Sequence, residues 1–372
     1  MGKVALITGV TGQDGACLAE FLLARGYRVH GLTRRPAEAR GGRLAHLHAG
    51  PPGSGAPLEL HFGDLLDGPG LDRLLRRLRP DEVYNLAAQS HVHLSFEVPE
   101  HTAEVGALGP LRLLEAIRAA GLAPTARFYQ ASTSELFGDG AEVPQRETTP
   151  FAPVSPYAAA KQFAHAVTAI YRRAHGLFAC NGILFNHEGP TRGEAFVTRR
   201  ITRGVAAIHH GLARRLVLGN LEARRDWGHV RDYVEGMWLM LQQPAPDDYV
   251  LATGRSHSVR DFVEAAFAET GRRLAWHGRG LDERGLDART GEVLVAVDPA
   301  LFRPAEVERL VGDAAKARER LGWRPRTGFA ELVREMVACD LADLDPAPLR
   351  PPREIPAAFC TAPIPEGAVP RT

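Results

Sequence analysis

The sequence predicts a doubly wound α/β fold, a parallel sheet with helices on both faces, followed by a smaller mixed α/β C-terminal lobe. Three observations predict it. Short apolar, β-branched runs alternate with segments of helical spacing through the first half of the chain. A glycine-rich turn, Gly9–Gly15, joins the first such run to the first helix. The length, 372 residues, suits one large α/β domain or a domain with an added lobe.

The elements follow in order. Val4–Thr8 is the first strand. Asp14–Arg25 has helical spacing in Cys17, Leu18, Phe21 and Leu22, with Gly26 as its stop. Strands are expected at Arg28–Leu32 and Leu58–Phe62, and the Gly/Pro/Ala-rich stretch from Arg34 to Pro57 reads as a loop. Leu71–Leu78 is an amphipathic helix closed by Pro80. A strand at Glu82–Ala87, a helix at Leu108–Ala120 and a strand at Arg127–Ala131 continue the alternation. A long helix spans Ser155–His175, and Ala179–Phe185 is the next strand. Beyond Asn186 the pattern loosens. Helices are expected near Phe196–Gly211, Val230–Gln242, Val259–Thr270, Asp313–Leu321 and Phe329–Asp340, with short strands between them. The division expected is 1–185 for a nucleotide-binding domain, 186–340 for a substrate lobe with some chain exchange, and 341–372 for a Pro-rich tail. Asp345–Thr372 reads as extended or disordered.

Composition excludes several classes. Lys plus Arg is 45 and Asp plus Glu is 44, so a dedicated nucleic-acid binder is not expected. No apolar run reaches membrane-spanning length, and no signal-peptide layout precedes Val4. Four cysteines without short paired spacing argue against a disulfide framework or zinc site and suit a reducing, cytoplasmic setting. His91 and His93 alternate, but no cysteine or carboxylate cluster joins them, so no metal is expected.

The glycine turn carries the first functional signal. Gly9 permits the tight turn, Gly12 lets backbone approach a pyrophosphate, and Gly15 lets helix pack on strand. The helix N-terminus offers free N–H groups to an anion. Thr11, Gln13 and Asp14 fill the turn between the glycines. The spacing resembles the short-chain dehydrogenase/reductase variant of the Rossmann motif. Where a free ribose 2′-hydroxyl would meet an acid, this chain has Arg34 and Arg35, which suit the 2′-phosphate of NADP. Asp64 and Leu65 follow the third strand and are placed to meet adenine. Leu86, Ala87, Ala88, Gln89 and Ser90 follow the fourth, where they line the middle of the cofactor.

Tyr157 and Lys161 are four apart on a helix and share a face. A free phenol titrates near 10 and is a poor base at neutral pH; a neighbouring ammonium favours the phenolate. Only Lys3, Lys161 and Lys316 are lysines, so an internal lysine marks a place where arginine does not serve. Ser132, Thr133, Ser134 and Glu135 follow the fifth strand at its carboxyl end, where open α/β sheets bind ligands. The hydroxyls suit a substrate hydroxyl beside Tyr157. Glu135 adds a base able to remove a proton alpha to a new ketone, the start of an elimination.

The stretches ALITGVTGQDG, PDEVYNLAAQSHV, RFYQASTSELFG, ETTPFAPVSPYAAAK, ACNGILFNHE, RDWGHVRDYV and VDPALFRPAEVE together resemble the GDP-mannose 4,6-dehydratase family, over nearly the whole chain from Val4 to Asp340. The resemblance implies GDP-mannose as substrate, a tightly held NADP, and internal transfer of hydride from C4 to C6 with loss of water. It implies Tyr157 and Thr133 acting at O4, Glu135 at C5, and Lys161 beside Tyr157 and the cofactor ribose. It places His187, Arg192 and His101 on the cofactor side. Ser90, Asn186, Glu188, Val197, Arg200, Asn220, Arg225, Arg303 and Glu306 fall on the substrate side. His101 stands where the family usually has Tyr, Arg200 where Lys is common, and the tail from Asp345 has no counterpart. The resemblance implies a homo-oligomer, dimer or tetramer, although the family's subunit-joining region after Arg35 is here unusually rich in Gly and Pro. Two other readings stay open on the residues alone. A nucleotide-sugar 4-epimerase or 4-keto-reductase needs Tyr157 and Lys161 but not Glu135. A non-catalytic NADP-binding sensor should have lost part of the Thr133, Tyr157 and Lys161 set, which is intact here.

Overall fold

The computed structural model describes residues 2–35, 42–47, 49–139, 142–301, 307 and 310–345. The first half builds β1 (Val4–Thr8), α1 (Gln13–Leu23), β2 (Arg28–Thr33), β3 (Leu58–Phe62), α2 (Gly68–Leu78) and β4 (Glu82–Asn85). It continues with α3 (Val92–Glu97), α4 (Pro99–Ala103), α5 (Gly109–Ala119), β5 (Arg127–Ala131), α6 (Pro156–His175) and β6 (Phe178–Leu184). The main sheet has seven strands in the order 11-6-5-4-1-2-3, with every pairing parallel.

Alternation along the strands assigns the two faces. Ala5 and Ile7 of β1 point into a core with Leu18 and Leu22 of α1, while Leu6 points the other way. Tyr84 and Tyr129 join the first core; Val83 and Phe128 join the second, against Leu75, Leu114 and Ile117. Both faces of the sheet are therefore covered, as a parallel sheet requires.

The second half supplies β7 (His187–Glu188), α7 (Val197–His209), β8 (Leu216–Leu218), β9 (Arg224–Arg225), β10 (Gly228–His229) and α8 (Val230–Gln242). Then come β11 (Tyr249–Leu251), β12 (His257–Ser258), α9 (Val259–Ala268), β13 (Leu274–His277), β14 (Arg284–Asp287), β15 (Val293–Val297), α10 (Ala315–Leu321) and α11 (Phe329–Asp343). This half is not confined to a lobe. β11 pairs with Gly182–Leu184 as the seventh strand of the main sheet, and Val234 and Met237 of α8 pack in the α1 core. The remainder packs α7, α9 and α11 with β8 and β15 around Ile201, Phe262, Val295 and Val333.

Four expectations are corrected. The Arg34–Pro57 stretch is not all loop: Gly42–Leu47 forms a helical turn whose Leu44 and Leu47 are buried. The fourth strand stops at Asn85 rather than Ala87, because the N–H groups of Leu86 and Ala87 both donate to Thr8 Oγ1, at 3.1 Å each. Helices α3 and α4 were not anticipated; His91 Nδ1 accepts from Leu94 N to cap the first, and Pro99 opens the second. The expected tail at 341–372 begins too early, since α11 runs on to Asp343; residues 346–372 lie outside the described residues.

Candidate active site

A cleft of about 1210 Å³ lies at the carboxyl ends of β1 to β6 and is closed on its far side by α7 and the strands around β9. Its floor is the turn from β1 into α1. Gly9 has φ +69°, and a Cβ there would sit 2.8 Å from Ala87 N. A Cβ on Gly15 would sit 2.3 Å from the Gly9 carbonyl oxygen. Both positions therefore exclude a side chain. Gly12, Gln13, Asp14 and Gly15 all line the cleft, and no side chain caps α1. Uncapped first-turn N–H groups on a bare backbone form a cradle that fits a pyrophosphate.

Asp14 and His187 tie this floor to the start of the second half. His187 Nε2 is 2.9 Å from Asp14 Oδ2, and His187 Nδ1 is 2.8 Å from the Phe185 carbonyl. Burial opposes the charge on both groups, yet each partner favours it: the Asp14 carboxyl is held well below its usual range and the His187 imidazole is raised. Gln13 Nε2 donates to Asp14 Oδ1 and to the His187 carbonyl.

The wall facing the floor comes from the β5 end and the first turns of α6. Thr133 begins a single helical turn and its Oγ1 accepts from Glu135 N at 3.3 Å. Ser155 Oγ accepts from Ala158 N, which fixes the start of α6 and hence the aim of Tyr157 and Lys161. Thr133, Glu135 and Lys161 are 7%, 8% and 4% exposed. Burial pushes the Tyr157 phenol up to about 12, the hydrogen bond from Thr133 opposing it and Glu135 adding to it. Lys161 donates to the Ala131 carbonyl at 2.9 Å and stands 5.9 Å from the centre of the Tyr157 ring. The ammonium is thus held near the phenol by a carbonyl rather than by the phenol itself. Burial lowers Lys161 to about 8, so it still carries its charge at neutral pH.

Arg34, Arg35, Asp64, Leu65, Leu86, Ala87, Ala88, Gln89, Ser90 and His101 line the end of the cleft beyond the glycine turn. Asn186, Glu188, Arg192, Val197, Arg200, Asn220 and Arg225 line the same cleft. Glu188 is buried, forms an ion pair with Arg192 Nε at 3.0 Å and accepts from Thr198 Oγ1 at 2.7 Å. The Arg192 guanidinium stacks 3.8 Å above the Phe196 ring. Arg225 is buried and donates to the carbonyls of Arg224 and Val307, while Arg200 is exposed. The structure therefore brings every sequence-predicted site residue within the described residues to one cleft; Arg303 and Glu306 lie outside the described residues.

Two features escaped the sequence. Arg43 lines the cleft from the turn read as loop. Ser132 Oγ, also in the lining, is 3.2 Å from His165 Nδ1, which lies one helical turn beyond Lys161. A turn-to-turn count along α6 from Tyr157 would have found His165. His30, Glu59 and His61 gather elsewhere among the described residues and do not line the cleft. There Arg77 Nη2 lies 3.1 Å from His61 Nδ1, and burial keeps both imidazoles below their usual range. His91 and His93 serve separate local roles: His91 caps α3, and His93 pairs with Glu97. Among the described residues, no helix is long and apolar enough to cross a membrane.

Known proteins match this arrangement along almost its full length. The family described as GDP-mannose 4,6 dehydratase matches residues 6–336. The GDP-mannose 4,6-dehydratase of Sinorhizobium fredii (strain HH103) is 58% identical over 342 residues, covering 92% of this chain and 97% of that protein. The GDP-mannose 4,6 dehydratase of Homo sapiens is 53% identical over 345 residues, covering 92% and 93%. Among solved structures, the Thermus thermophilus UDP-glucose 4-epimerase in complex with NAD shares 30% identity at a TM-score of 0.74, covering 91% of this chain and 98% of that one. RMD from Pseudomonas aeruginosa complexed with NADPH has the same fold at a TM-score of 0.70 and 24% identity, covering 91% and 99%. A glycine cradle, a Tyr-x-x-x-Lys wall and an added carboxylate thus occur in a chain that belongs to the GDP-mannose 4,6-dehydratase family, lyases that act on a nucleotide sugar with a nicotinamide cofactor.

Proposed function

We propose that the cleft holds NADP across the glycine turn and GDP-mannose across the α7 wall, and that the product is GDP-4-keto-6-deoxymannose. The observation that carries this reading is the convergence of Thr133, Glu135, Tyr157 and Lys161 on one wall of the cleft, Tyr157 half-buried and the other three buried. Arg34 and Arg35 support NADP over NAD, since two guanidiniums end β2 where a ribose-binding acid would stand. Held there by the glycine turn, a nicotinamide would supply the hydride store, taking a hydride from C4 of the sugar and giving it back at C6.

Tyr157 takes the proton of the C4 hydroxyl. Its phenol resists ionisation, and the Lys161 ammonium supplies the positive charge that offsets this. Thr133 holds the Tyr157 oxygen and the same hydroxyl in line. A ketone at C4 acidifies the C5 hydrogen, which Glu135 removes; the C6 hydroxyl leaves with a proton as water. Reprotonation at C5 completes the balance. Arg192 serves the cofactor side, Arg200 and Arg225 suit the diphosphate of the sugar nucleotide, and Asn186, Glu188, Val197 and Asn220 the rest of it; all line the cleft. An epimerase on this scaffold gives Glu135 no task. The test is product mass after incubation with GDP-mannose and no added reductant. Loss of one water without net consumption of NADPH is expected; an unchanged mass with nucleotide bound would sink the reading.

A further inference from the structure

Arg43 has a fixed base and two distant partners. It rises from the Gly42–Leu47 turn, which Leu44 and Leu47 anchor in the core shared with α1. Its Nε donates to the Thr191 carbonyl at 2.6 Å, and its Nη1 donates to the Thr11 carbonyl at 3.2 Å. Thr11 lies in the middle of the glycine turn. Thr191 immediately precedes Arg192, in a turn closed by Arg192 N on the Gly189 carbonyl at 3.0 Å. One side chain therefore joins the floor of the cleft to the segment between β7 and α7.

The segment it reaches is itself stiff. Arg192 is pinned by buried Glu188 and lies flat on Phe196. Around Arg43 stand Arg192 and Arg199, with Glu194 the one acid acting on it; partial burial and the two guanidiniums make its own charge harder to hold. Excess positive charge at a cleft lined also by Arg34 and Arg35 favours a polyanion lying beneath the bridge. Yet the Arg43 donors described are spent on carbonyl oxygens, which an anion cannot replace.

We propose that Arg43 is a positioning residue, a strap that closes the cleft over a bound nicotinamide dinucleotide and sets how slowly that nucleotide leaves. This rests on the function proposed above, and it deepens it. A reaction that borrows a hydride and returns it to the same sugar fails if the reduced nucleotide departs in between. Retention is then a requirement of the chemistry, and a residue outside the reacting atoms can govern it.

The experiment compares wild type, Arg43→Ala and Arg43→Lys as full-length proteins. Bound nucleotide is measured after gel filtration, and NADPH and NADH dissociation are followed by loss of nucleotide fluorescence on dilution. Two charge-assisted hydrogen bonds predict that Arg43→Ala releases both nucleotides about 10- to 100-fold faster. In excess NADP, a single turnover of Arg43→Ala leaves more free NADPH in solution than wild type does, because the reduced nucleotide escapes before its hydride is returned. Arg43→Lys keeps charge and stem but cannot reach both carbonyls, so its release is at least about threefold faster; it also decides the matter if Arg43→Ala does not fold. Unchanged release in a folded variant overturns the strap. Faster release of NADPH but not NADH also overturns it, since that marks a direct contact to the 2′-phosphate. A wild-type protein that binds neither nucleotide instead removes the cofactor reading itself.

Discussion

His187 Nε2 sits 2.9 Å from Asp14 Oδ2, joining the first turn of α1 to the strand that begins the second half of the chain. The pair crosses the floor of the cleft, so the charge it carries bears on both stability and the shape of the site.

That pair gives stability a defined pH window. The Asp14 pKa is depressed by folding, so its contribution is present above the ordinary carboxylate value, about 4, and is lost as pH falls through the depressed value. The His187 pKa is raised, so its contribution is complete below about 6.5 and is lost as pH rises through the raised value. The pair therefore helps most between these limits. Melting temperatures of wild type and His187→Asn, measured from pH 5 to 8, are expected to converge as pH rises. A constant difference across that range would show that the imidazole acts without charge.

Lys161 behaves in the opposite sense. Its folded pKa, about 8, lies below the ordinary lysine value, so charge burial weakens the ligand-free fold below pH 8 and the penalty fades as pH climbs toward 10.5. In Lys161→Met the penalty is gone. The variant's stability advantage, whatever its size at pH 7, is expected to shrink by about 2 kcal/mol by pH 9.5. Urea melts at both pH values measure it, and turnover in the same variant falls by at least about 100-fold.

What the sequence revealed about this site followed from locality. Gly9 to Gly15, Thr133 to Glu135 and Tyr157 to Lys161 are each short patterns at the end of a strand or the start of a helix, and each was legible. β3, β5 and α8 were legible to the residue, because a clean apolar period ends in a breaker or a cap. Arg43 was not, since its two partners are carbonyls, one of them 148 residues away, and a carbonyl leaves no mark in a sequence. β11, one of the short strands expected between the C-terminal helices, could not be given bounds for a related reason. Three residues are too few to show a period, and only pairing with β6 makes them a strand.

Asp340 tests the tie between the C-terminal helix and the cleft. It is fully buried on α11, and its carboxylate forms an ion pair with Arg199 Nη2 on α7 at 2.8 Å. Arg199 is flanked in sequence by Thr198 and Arg200, both of which line the cleft. Asp340→Ala leaves a buried guanidinium without its principal carboxylate and is expected to cost about 3–5 kcal/mol. Replacing both residues with leucine recovers most of that loss. Denaturant midpoints of the three variants check it; a double variant as weak as the single one would place the cost in packing rather than in charge.

Glu135 and Tyr157 divide the chemistry, and substituting each separates the two halves of the reaction. Tyr157→Phe removes the acceptor for the C4 hydroxyl proton, so neither nucleotide reduction nor water loss proceeds, each falling by about 100- to 10,000-fold. Glu135→Gln keeps the shape of the wall and leaves Tyr157 in place, but it cannot take the C5 proton. Burial and Glu135 both hold the Tyr157 phenol up, so removing the carboxylate's charge eases its ionisation. Glu135→Gln is therefore expected to reduce bound nucleotide on mixing with GDP-mannose and then stall. Reduced-nucleotide absorbance rises to a plateau, and water loss stays at least about 100-fold below wild type. Rapid mixing with absorbance detection, followed by product mass, distinguishes the two variants. If Glu135→Gln loses reduction as fully as Tyr157→Phe, Glu135 acts before the ketone forms and its assignment to C5 fails.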